Sequence, residues 1–319
     1  MNEMNPRGDP SAVSAQRRNT RRHDPAANHA AEVFQSHRSR LFGLAYRMLG
    51  SRAEAEDLLQ DAYLRWHESA ADEIQSPVAF LVTITTRLCL DRLRELKHER
   101  GHYVGPWLPE PIVDEDEFPS PEDQLELIDE VSLAFLAVLE RLGAEERAAF
   151  LLHDVFDYDY PEVAGIVGKS EAACRQMIHR ARIRVRESRP RFAVAADARE
   201  RILGKFLVAA KSGDRHAVMA LLAANAEYVA DGGGRVVAAL KPLRGPERIG
   251  WLYHCVARRF GDVRYRLTRV NGETGAVATL DGRVFSVIAF DIEGERISRI
   301  YNVRNPDKLA RVALRPHPG

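Results

Sequence analysis

The pattern of hydrophobic residues changes once along this 319-residue chain, and that change limits the possible folds more than any other feature. From about residue 30 to residue 191, apolar residues recur at the three- and four-residue spacing of amphipathic helices. From Ala226 onward, turn pairs such as Asn271-Gly272 and Asp281-Gly282 separate short runs rich in β-branched residues, a pattern typical of hairpins. The sequence therefore predicts helical domains followed by a smaller α+β domain.

Changes in composition divide the chain further. The start is rich in Pro, Asn, Ser and Arg, and the segment that begins at Gly101 contains two glycines and several prolines, which predicts a tail and a linker. The predicted segments are a disordered tail at 1–28, a three-helix domain at 29–100, an acidic Pro-rich linker at 101–121, a second helical domain at 122–191 and the α+β domain at 199–311.

A helix predicted after Gly50 shows how the first domain is built. Ser51 followed by Glu54 forms a capping box. The apolar stripe of this helix comprises Ala55, Leu58, Leu59, Ala62 and Trp66, whereas Asp57, Gln60 and Asp61 lie off it. We therefore expect one face to be packed in a core and another to be acidic and exposed. The next helix begins at Ser76-Pro77 and ends among the basic residues up to Arg100.

Charge is segregated along the chain, although 46 basic and 46 acidic side chains cancel in the total. Residues 174–191 contain seven arginines and one acid, whereas residues 101–140 contain eleven acids and neither Lys nor Arg. A net charge of zero therefore does not argue against nucleic acid, because strong local fields of opposite sign remain.

A predicted helix pair at 161–167 and 171–188 carries this basic run, with a break at Gly168. The inward stripe of its second helix comprises Cys174, Met177, Ile178, Ala181 and Val185. In a helix-turn-helix, early residues of the second helix reach base edges and later arginines meet phosphates. An ordinary helical hairpin with a basic face is the alternative. The candidate DNA contacts are Ser170, Glu171, Arg175, Gln176, His179, Arg180, Arg182 and Arg186.

Three other motifs fail on inspection. Residues 165–170 (GIVGKS) resemble the end of a P-loop, but Val163 stands where the first glycine is required and no strand precedes the motif. Residues 98–102 (HERGH) match the zinc-protease pattern, but Gly101 interrupts the helix that the two histidines need. Cys89, Cys174 and Cys255 lack metal-ligand spacing. We predict no catalytic residue, no metal and no cofactor, and the odd, scattered cysteines indicate a reducing cytoplasm.

Residues 30–100 resemble region two of extracytoplasmic-function (ECF) sigma factors, and residues 122–190 resemble their region four. Residues 57–63 (DLLQDAY) resemble the motif with which that family binds the clamp helices of RNA polymerase core. The resemblance implies polymerase contacts at Asp57, Leu58, Gln60, Asp61 and Tyr63. It also implies that the third helix reads the promoter's minus-ten element and region four the minus-thirty-five element. Exposed Arg87, Arg92 and Arg94 suit phosphates, and Asp91 could orient a basic group or meet a base.

Three short signatures narrow the resemblance: residues 107–111 (WLPEP), 231–234 (DGGG) and 305–309 (NPDKL). They resemble those of an ECF group with a fused C-terminal SnoaL-like domain, an open α+β cone of the nuclear-transport-factor-two-like fold. The implied fold class is multidomain, with two all-α sigma domains and this cone. The group generally lacks a dedicated anti-sigma factor, and its C-terminal domain is thought to regulate in cis. We expect promoter DNA and polymerase core as partners and no membrane.

The C-terminal domain is expected to fold back on the linker and on regions two and four. The residues expected to make this contact are Trp107, Leu108, Pro109, Asp231, Gly232, Gly233, Asn305, Pro306 and Asp307. The acidic linker either imitates nucleic acid in a polymerase channel or is a solvated spacer. Relatives of the cone fold catalyse reactions with an Asp and His pair, for which Asp231 and His254 qualify by residue type alone.

Two further functions remain alternatives to a sigma factor. One is a SnoaL-type cyclase or isomerase with a helical appendage. The other is a plain helix-turn-helix transcriptional regulator, which would need no polymerase-docking helix. The region-two motif favours the sigma factor, so we expect a regulator of transcription initiation and not an enzyme.

Overall fold

The computed structural model describes residues 25–69, 74–113, 132–188 and 194–312. The first helical domain contains α1 (Pro25–Leu49), α2 (Arg52–Glu68) and α3 (Pro77–Arg100). Most of the predicted tail lies outside the described residues, but α1 begins at Pro25, earlier than expected. The whole predicted stripe of α2 is buried, including Trp66, whose indole N–H donates to the carbonyl of Ala30 at 2.8 Å.

The second helical domain contains four described helices: α4 (Leu133–Leu139), α5 (Ala144–Asp154), α6 (Tyr160–Val167) and α7 (Glu171–Ser188). Residues 114–131, which include the end of the predicted linker and the start of the predicted second helical domain, lie outside the described part of the chain. The predicted inward stripe of α7 is buried at all five positions. This burial fixes which face of α7 is available for other contacts.

One hydrophobic core joins the two helical domains. Leu41 of α1 and Leu81 of α3 belong to the same buried cluster as Leu139 of α4. Beside it, the Glu140 carboxylate accepts hydrogen bonds from Arg100 of α3 and from Arg147 of α5. A charged group with two cationic partners is tolerated at such an interface because each partner offsets part of the cost of its burial. The two helical domains are therefore packed together, not separated by a free linker.

The C-terminal domain is a six-stranded mixed sheet with helices on one face. Its elements are α8 (Ala196–Ser212), α9 (Arg215–Ala220), β1 (Leu222–Asp231), β2 (Leu243–Arg244), α10 (Pro246–Arg259), β3 (Arg264–Val270), β4 (Glu273–Leu280), β5 (Arg283–Glu293), β6 (Arg296–Val303) and α11 (Pro306–Leu309). The strand order is β2-β1-β6-β5-β4-β3, with β1 and β6 parallel and the other pairs antiparallel. Asn271 and Asp281 adopt positive φ before their glycines, as the predicted hairpin turns require.

The two faces of this sheet have different neighbours. On one face, Phe290 and Ile300 pack with Phe206 of α8 and Tyr253 of α10. On the other face, Val287 and Val303 belong to a cluster with linker residues and with Leu133 of α4. The helical domains thus cover the sheet face that α8–α10 leave uncovered.

The described part of the linker, residues 101–113, is a packed segment that we call the strap. Leu108 is buried in the sheet-face cluster, and Val113 forms a β-bridge with Val270. The amide of Asn271 donates to the carbonyl of Ile112 at 2.8 Å, and the amide of Ile112 donates back to Asn271 Oδ1 at 3.1 Å. A solvated spacer is therefore wrong for residues 101–113. None of the described helices is long and apolar enough to cross a membrane.

Candidate functional site

The predicted polymerase face lies on α2. Asp57, Gln60 and Asp61 are exposed, as an acidic docking face requires. Tyr63 is half-buried, and its ring lies edge-on to Phe34 of α1 at 5.1 Å between centroids. Leu58 is the exception, because it is buried in the core. The prediction that Leu58 is a surface contact for polymerase is therefore wrong, because Leu58 belongs to the apolar stripe that α2 packs into the core.

A groove of about 840 Å³ runs beside this face, between α1 and α2. Gln60 and Tyr63 line it from α2, and Phe34 and Leu59 form part of its apolar floor. The α1 side contributes Glu32, Gln35 and Arg38. The sequence did not point to these α1 residues, because the face that one helix turns to another depends on their crossing angle.

The strap supplies the N-terminal cap of α2. Ser51 Oγ accepts from the amide of Glu54 at 3.4 Å, which is one half of the predicted capping box. The other half is missing, because the Glu54 carboxylate binds Arg92 of α3 through two hydrogen bonds of 2.5 and 2.8 Å. Arg92 is therefore an anchor between helices, and its predicted exposure is wrong.

Glu110 of the strap supplies other hydrogen bonds that cap the start of α2. Its Oε2 atom accepts from the amide of Arg52 at 2.8 Å, from that of Ala53 at 3.3 Å and from the Ser51 hydroxyl at 2.9 Å. A carboxylate is favoured there because the first amides of a helix have no partner within the helix and carry partial positive charge. The buried Glu110 thus ties the strap to the start of the predicted polymerase-binding helix.

The predicted minus-ten residues of α3 are exposed but engaged. Arg87 donates to the carbonyls of Gly165 and Ile166 in α6, at 3.3 and 3.5 Å. Asp91 and Arg94 form an exposed ion pair of 2.6 Å along the helix. Arg87 therefore joins the two helical domains at the place where DNA contact was predicted.

The helix pair α6–α7 has the local geometry of a helix-turn-helix. Asp159 and Glu162 form a capping box at the start of α6, and Gly168 ends that helix in the left-handed conformation with φ 71°. Ser170 Oγ then accepts from the amide of Ala173 at 3.3 Å, which caps α7. The turn between the helices is therefore set by local hydrogen bonds and by one glycine.

The candidate DNA residues of α7 fall into two groups. Seven are exposed: Ser170, Glu171, Arg175, Gln176, His179, Arg180 and Arg186. Arg182 is instead half-buried and makes two hydrogen bonds to Asp154 of α5, at 2.7 and 2.8 Å, so it has to leave this partner before it contacts DNA. Arg175 pairs with Glu171 at 2.7 Å.

Asp231 at the end of β1 is the centre of the contact between the strap and the C-terminal domain. Its carboxylate is fully buried. Oδ1 accepts from the Tyr103 hydroxyl at 2.6 Å, while Oδ2 accepts from the amide of Leu108 at 2.9 Å and from Lys308 Nζ at 2.7 Å. Asn305 Nδ2 donates to the Tyr103 hydroxyl at 3.0 Å. We call these five residues, Tyr103, Leu108, Asp231, Asn305 and Lys308, the latch.

Trp107 packs between two cations beside the latch. The guanidinium of Arg100 lies 3.9 Å from its ring centroid and Lys308 Nζ lies 3.8 Å from it, both within cation–π range. A Cβ atom at Gly50 would lie 2.6 Å from Trp107 Cη2, and Gly50 has φ +67°. Glycine is thus required where α1 ends, because both the backbone conformation and the approach of the indole exclude a side chain.

The predicted contact set is partly correct. The side-chain amide of Asn305 approaches Gly233, where a Cβ atom would lie 2.4 Å from Nδ2, and Pro109 and Gly232 are buried. Pro306 and Asp307 are exposed, and Asp307 pairs at 3.3 Å with Arg235, so their predicted place in the contact is wrong. The sequence analysis omitted Tyr103 and Lys308, although Lys308 lies within the third signature. Burial lowers the pKa of Lys308 to about 8.

Asp231 and His254 do not form a catalytic pair. The carboxylate of Asp231 is occupied by the latch. His254 Nδ1 lies 3.0 Å from the carbonyl oxygen of Gly213, and its ring stacks on Trp251. These contacts give both residues structural roles.

Comparisons with known proteins agree with this geometry. The Sigma-70 region 2 family matches residues 33–99, and the Sigma-70, region 4 family matches residues 132–185. The chain is 34% identical over 287 residues to the ECF RNA polymerase sigma factor SigJ of Mycobacterium tuberculosis, covering 86% of this chain and 92% of SigJ. It is 30% identical over 294 residues to the probable ECF RNA polymerase sigma factor SigI of the same species, covering 90% of this chain and 96% of SigI.

The crystal structure of M. tuberculosis SigJ superposes with a TM-score of 0.71 at 31% identity, covering 89% of this chain and 100% of that chain. The predicted fold class is confirmed in outline: two helical sigma domains precede a C-terminal mixed-sheet domain. The Sigma-70 region 2 and region 4 domains imply binding to RNA polymerase core and promoter DNA, and the function is transcription initiation, not catalysis. The chain therefore belongs to the ECF RNA polymerase sigma factors.

Proposed function

We propose that this sigma factor is restrained in cis by its own C-terminal domain through the latch. The buried Asp231 carboxylate carries the proposal, because it accepts hydrogen bonds from both sides of the contact: from Tyr103 and Leu108 of the strap, and from Lys308 of the C-terminal domain. Charge-assisted hydrogen bonds of this kind are stronger than neutral ones. The two bonds from the strap, those of Tyr103 and Leu108, are lost together when the strap leaves the sheet, and Lys308 then keeps its partner but loses the cover of the strap.

The closed arrangement opposes promoter recognition. Arg87 donates to α6 carbonyls in this state, so it has to leave them before it contacts a phosphate. The core shared by α1–α7 holds the two promoter-reading domains against each other. Polymerase that binds the separated state more tightly shifts the equilibrium toward it. Release of the latch is therefore the step at which the C-terminal domain acts.

The polymerase and promoter surfaces that we assign use the exposed members of the predicted sets. Asp57, Gln60 and Asp61 present an exposed polar face to the clamp helices, and Gln60 also lines the adjacent groove together with Tyr63. In α7, Gln176 is assigned to a base edge, and Arg186 to a phosphate because it is exposed nearly three turns later. Segments 29–100, 122–191 and 199–311 are the proposed domains.

Two further assignments follow, one from the restraint within the chain and one from the partners. A domain that holds regions two and four together does what a separate inhibitor would otherwise do, so we assign no dedicated anti-sigma factor to this protein. The partners, polymerase core and promoter DNA, imply that the protein acts in the cytoplasm.

Promoter-specific transcription by a truncation series tests the proposal. Removing the residues after Arg311 leaves the latch intact and should leave activity unchanged. Removing residues 305–319 deletes Asn305 and Lys308 and should lower the concentration of sigma factor needed for half-maximal transcription. Removing everything after Ala198 should change activity most.

Asp231→Asn repeats the test without a deletion, and Asp307→Asn is its matched control because Asp307 is exposed in the same region. Activity of Asp231→Asn equal to that of the full chain would refute the proposal, and so would rapid limited proteolysis of the intact chain within residues 101–113.

A further inference from the structure

The helix-covered face of the C-terminal sheet contains three buried polar atoms that have no hydrogen-bond partner in the described part of the chain. They are the Tyr253 hydroxyl of α10, Asn302 Oδ1 of β6 and the Nε–H group of Arg304 just after β6. Tyr253 is only 3% exposed and Asn302 only 7%. Leaving such a group unpaired costs about 1–3 kcal/mol, so three of them in one region require an explanation.

The three atoms belong to one cluster. Asn302 Nδ2 donates to the Tyr228 hydroxyl at 2.7 Å, and the rings of Tyr228 and Tyr253 meet edge to face at 6.2 Å. Tyr228 and Tyr265 both lie close enough to Tyr253 and to Arg304 to affect the pKa of each. Side chains from β1, β3, β6 and α10 therefore converge on one place.

The central strands carry small side chains beside this cluster. In the strand register, Tyr265 of β3 is opposite Ala278 of β4, which is opposite Ser286 of β5. In the neighbouring row, Ala276 is opposite Ile288, which is opposite Asn302. Ala276, Ala278 and Ser286 therefore contribute little side-chain volume between Tyr265 and β6. The half-buried ring of Phe285 forms the edge of this region, with the Arg304 guanidinium 4.2 Å from its centroid.

The region also has uncompensated positive charge. Arg304 donates through Nη1 to the carbonyl of Val237, and within the described residues no carboxylate forms an ion pair with it. Burial lowers the pKa of Arg304, which reflects the cost of holding this cation without a counter-charge. An arginine remains protonated under ordinary conditions. An anion is therefore the complement that the site lacks.

We propose that these side chains form a binding pocket for a small aromatic carboxylate. The tyrosine pocket comprises Tyr228, Tyr253, Tyr265, Phe285, Asn302 and Arg304. The carboxylate pairs with Arg304, the ring packs against Phe285 and Tyr265, and a polar ring substituent bonds to Tyr253 and to the amide of Asn302. A few polar groups among aromatic walls are typical of small-molecule sites, and the guanidinium fork matches a carboxylate.

The pocket and the latch share two strands, which gives the ligand a route to the strap. Tyr228 lies three residues before Asp231 on β1. On the β6 side, the amides of Arg304 and Asn305 both donate to the Asp231 carbonyl, at 2.7 and 2.8 Å. A ligand that repositions Arg304 thus acts on the backbone that holds the latch. This coupling rests on the proposed restraint, whereas the binding itself does not.

Calorimetric titration of the full chain with 4-hydroxybenzoate tests the binding, and 4-hydroxybenzyl alcohol is the uncharged comparison. We expect saturable binding with the acid at least tenfold tighter than the alcohol. Arg304→Gln should abolish this preference, and the charge-conserving Arg304→Lys should retain part of it. Tyr253→Phe should weaken acid binding about tenfold, the cost of one hydrogen bond. Tyr301→Phe makes the same chemical change on the opposite sheet face and should leave the affinity within about twofold.

The pocket would be overturned if no saturable binding were seen up to about 10 mM acid. At that concentration the binding would be weaker than that of a millimolar complex. Binding that Arg304→Gln and Tyr253→Phe leave unchanged would overturn it too. The coupling is tested separately by the hydrogen-exchange rate of the Leu108 amide, which should change on saturation with 4-hydroxybenzoate. Binding without that change overturns the coupling and supports the pocket. Failure of the proposed restraint is a different result, namely unchanged transcription by Asp231→Asn without any ligand.

Discussion

Replacing Asp231 with asparagine removes the charge at the centre of the latch and keeps its shape. The amide oxygen can still accept from Leu108, and the amide nitrogen can donate to the Tyr103 hydroxyl. The Lys308 ammonium, however, is left beside Trp107 without its counter-charge. The change therefore isolates the ion pair from the packing around it.

The expected cost is about 3 kcal/mol, the lower end of the range for a buried charge that loses its partner. The lower end applies because burial already lowers the pKa of Lys308 to about 8, so the ammonium can release its proton at modest cost. A loss of that size raises the population of the open latch roughly 150-fold.

Native-state hydrogen exchange measures this opening directly, because the amide of Leu108 donates to Asp231 Oδ2 and is released when the latch opens. The exchange rate of that amide should rise roughly 150-fold in Asp231→Asn, while the amides paired between β4 and β5 keep their rates. Asp307→Asn should change neither. Unchanged protection of Leu108 in Asp231→Asn, or an equal change in Asp307→Asn, would refute the assignment of Asp231 as the centre of the latch.

Three other perturbations test the remaining assignments. Asp61→Arg should weaken binding to polymerase core and shift the free energy of unfolding by no more than about 0.5 kcal/mol. Glu68→Arg near the end of α2 should bind normally in the same titration. Equal affinities of the two variants would contradict the docking face. Gln176→Ala should change sequence preference across a promoter library, whereas Arg186→Ala should weaken all sequences alike and lower the salt slope by about one; identical profiles would show that the face of α7 is misassigned. Burial raises the pKa of Asp291 from 3.8 to about 6, so the folded state retains a proton that the unfolded state releases, and stability should fall by roughly 3 kcal/mol as pH rises through that interval. Asp291→Asn should abolish this fall in urea titrations, and an unchanged pH profile would exclude Asp291 as its source.

The sequence predicts the helices and their buried faces better than it predicts which side chains pair between helices. Periodicity identified the buried stripes of α2 and α7, because a helix of given sequence can bury only its apolar face. The same reasoning placed Arg92 and Arg182 on exposed surfaces, where the structure gives each of them a carboxylate from another helix. Those carboxylates, Glu54 and Asp154, lie 38 and 28 residues away in the chain, beyond any local pattern.

The packing of the three domains was not predictable in detail for the same reason. Asp231 and Leu108 are 123 residues apart, and nothing around either of them indicates that a side-chain carboxylate accepts from that amide. All three signatures were expected to be contact segments, but the sequence did not distinguish the inward Lys308 from the outward Asp307. The directions of the Lys308 and Asp307 side chains are set by the short helix α11, because successive residues of a helix point in different directions.

The position of Glu110 has a consequence for the kinetics of holoenzyme assembly. Because one strap carboxylate satisfies the first amides of α2, a chain whose strap has detached begins its polymerase-binding helix with an unsatisfied first turn. That turn adjoins the exposed acids, so the partner meets a less ordered surface at the moment when the restraint is gone. Association then includes a reordering step whose rate does not depend on partner concentration. The observed rate of complex formation should therefore level off as core polymerase is raised, and Glu110→Gln should change the plateau more than the initial slope.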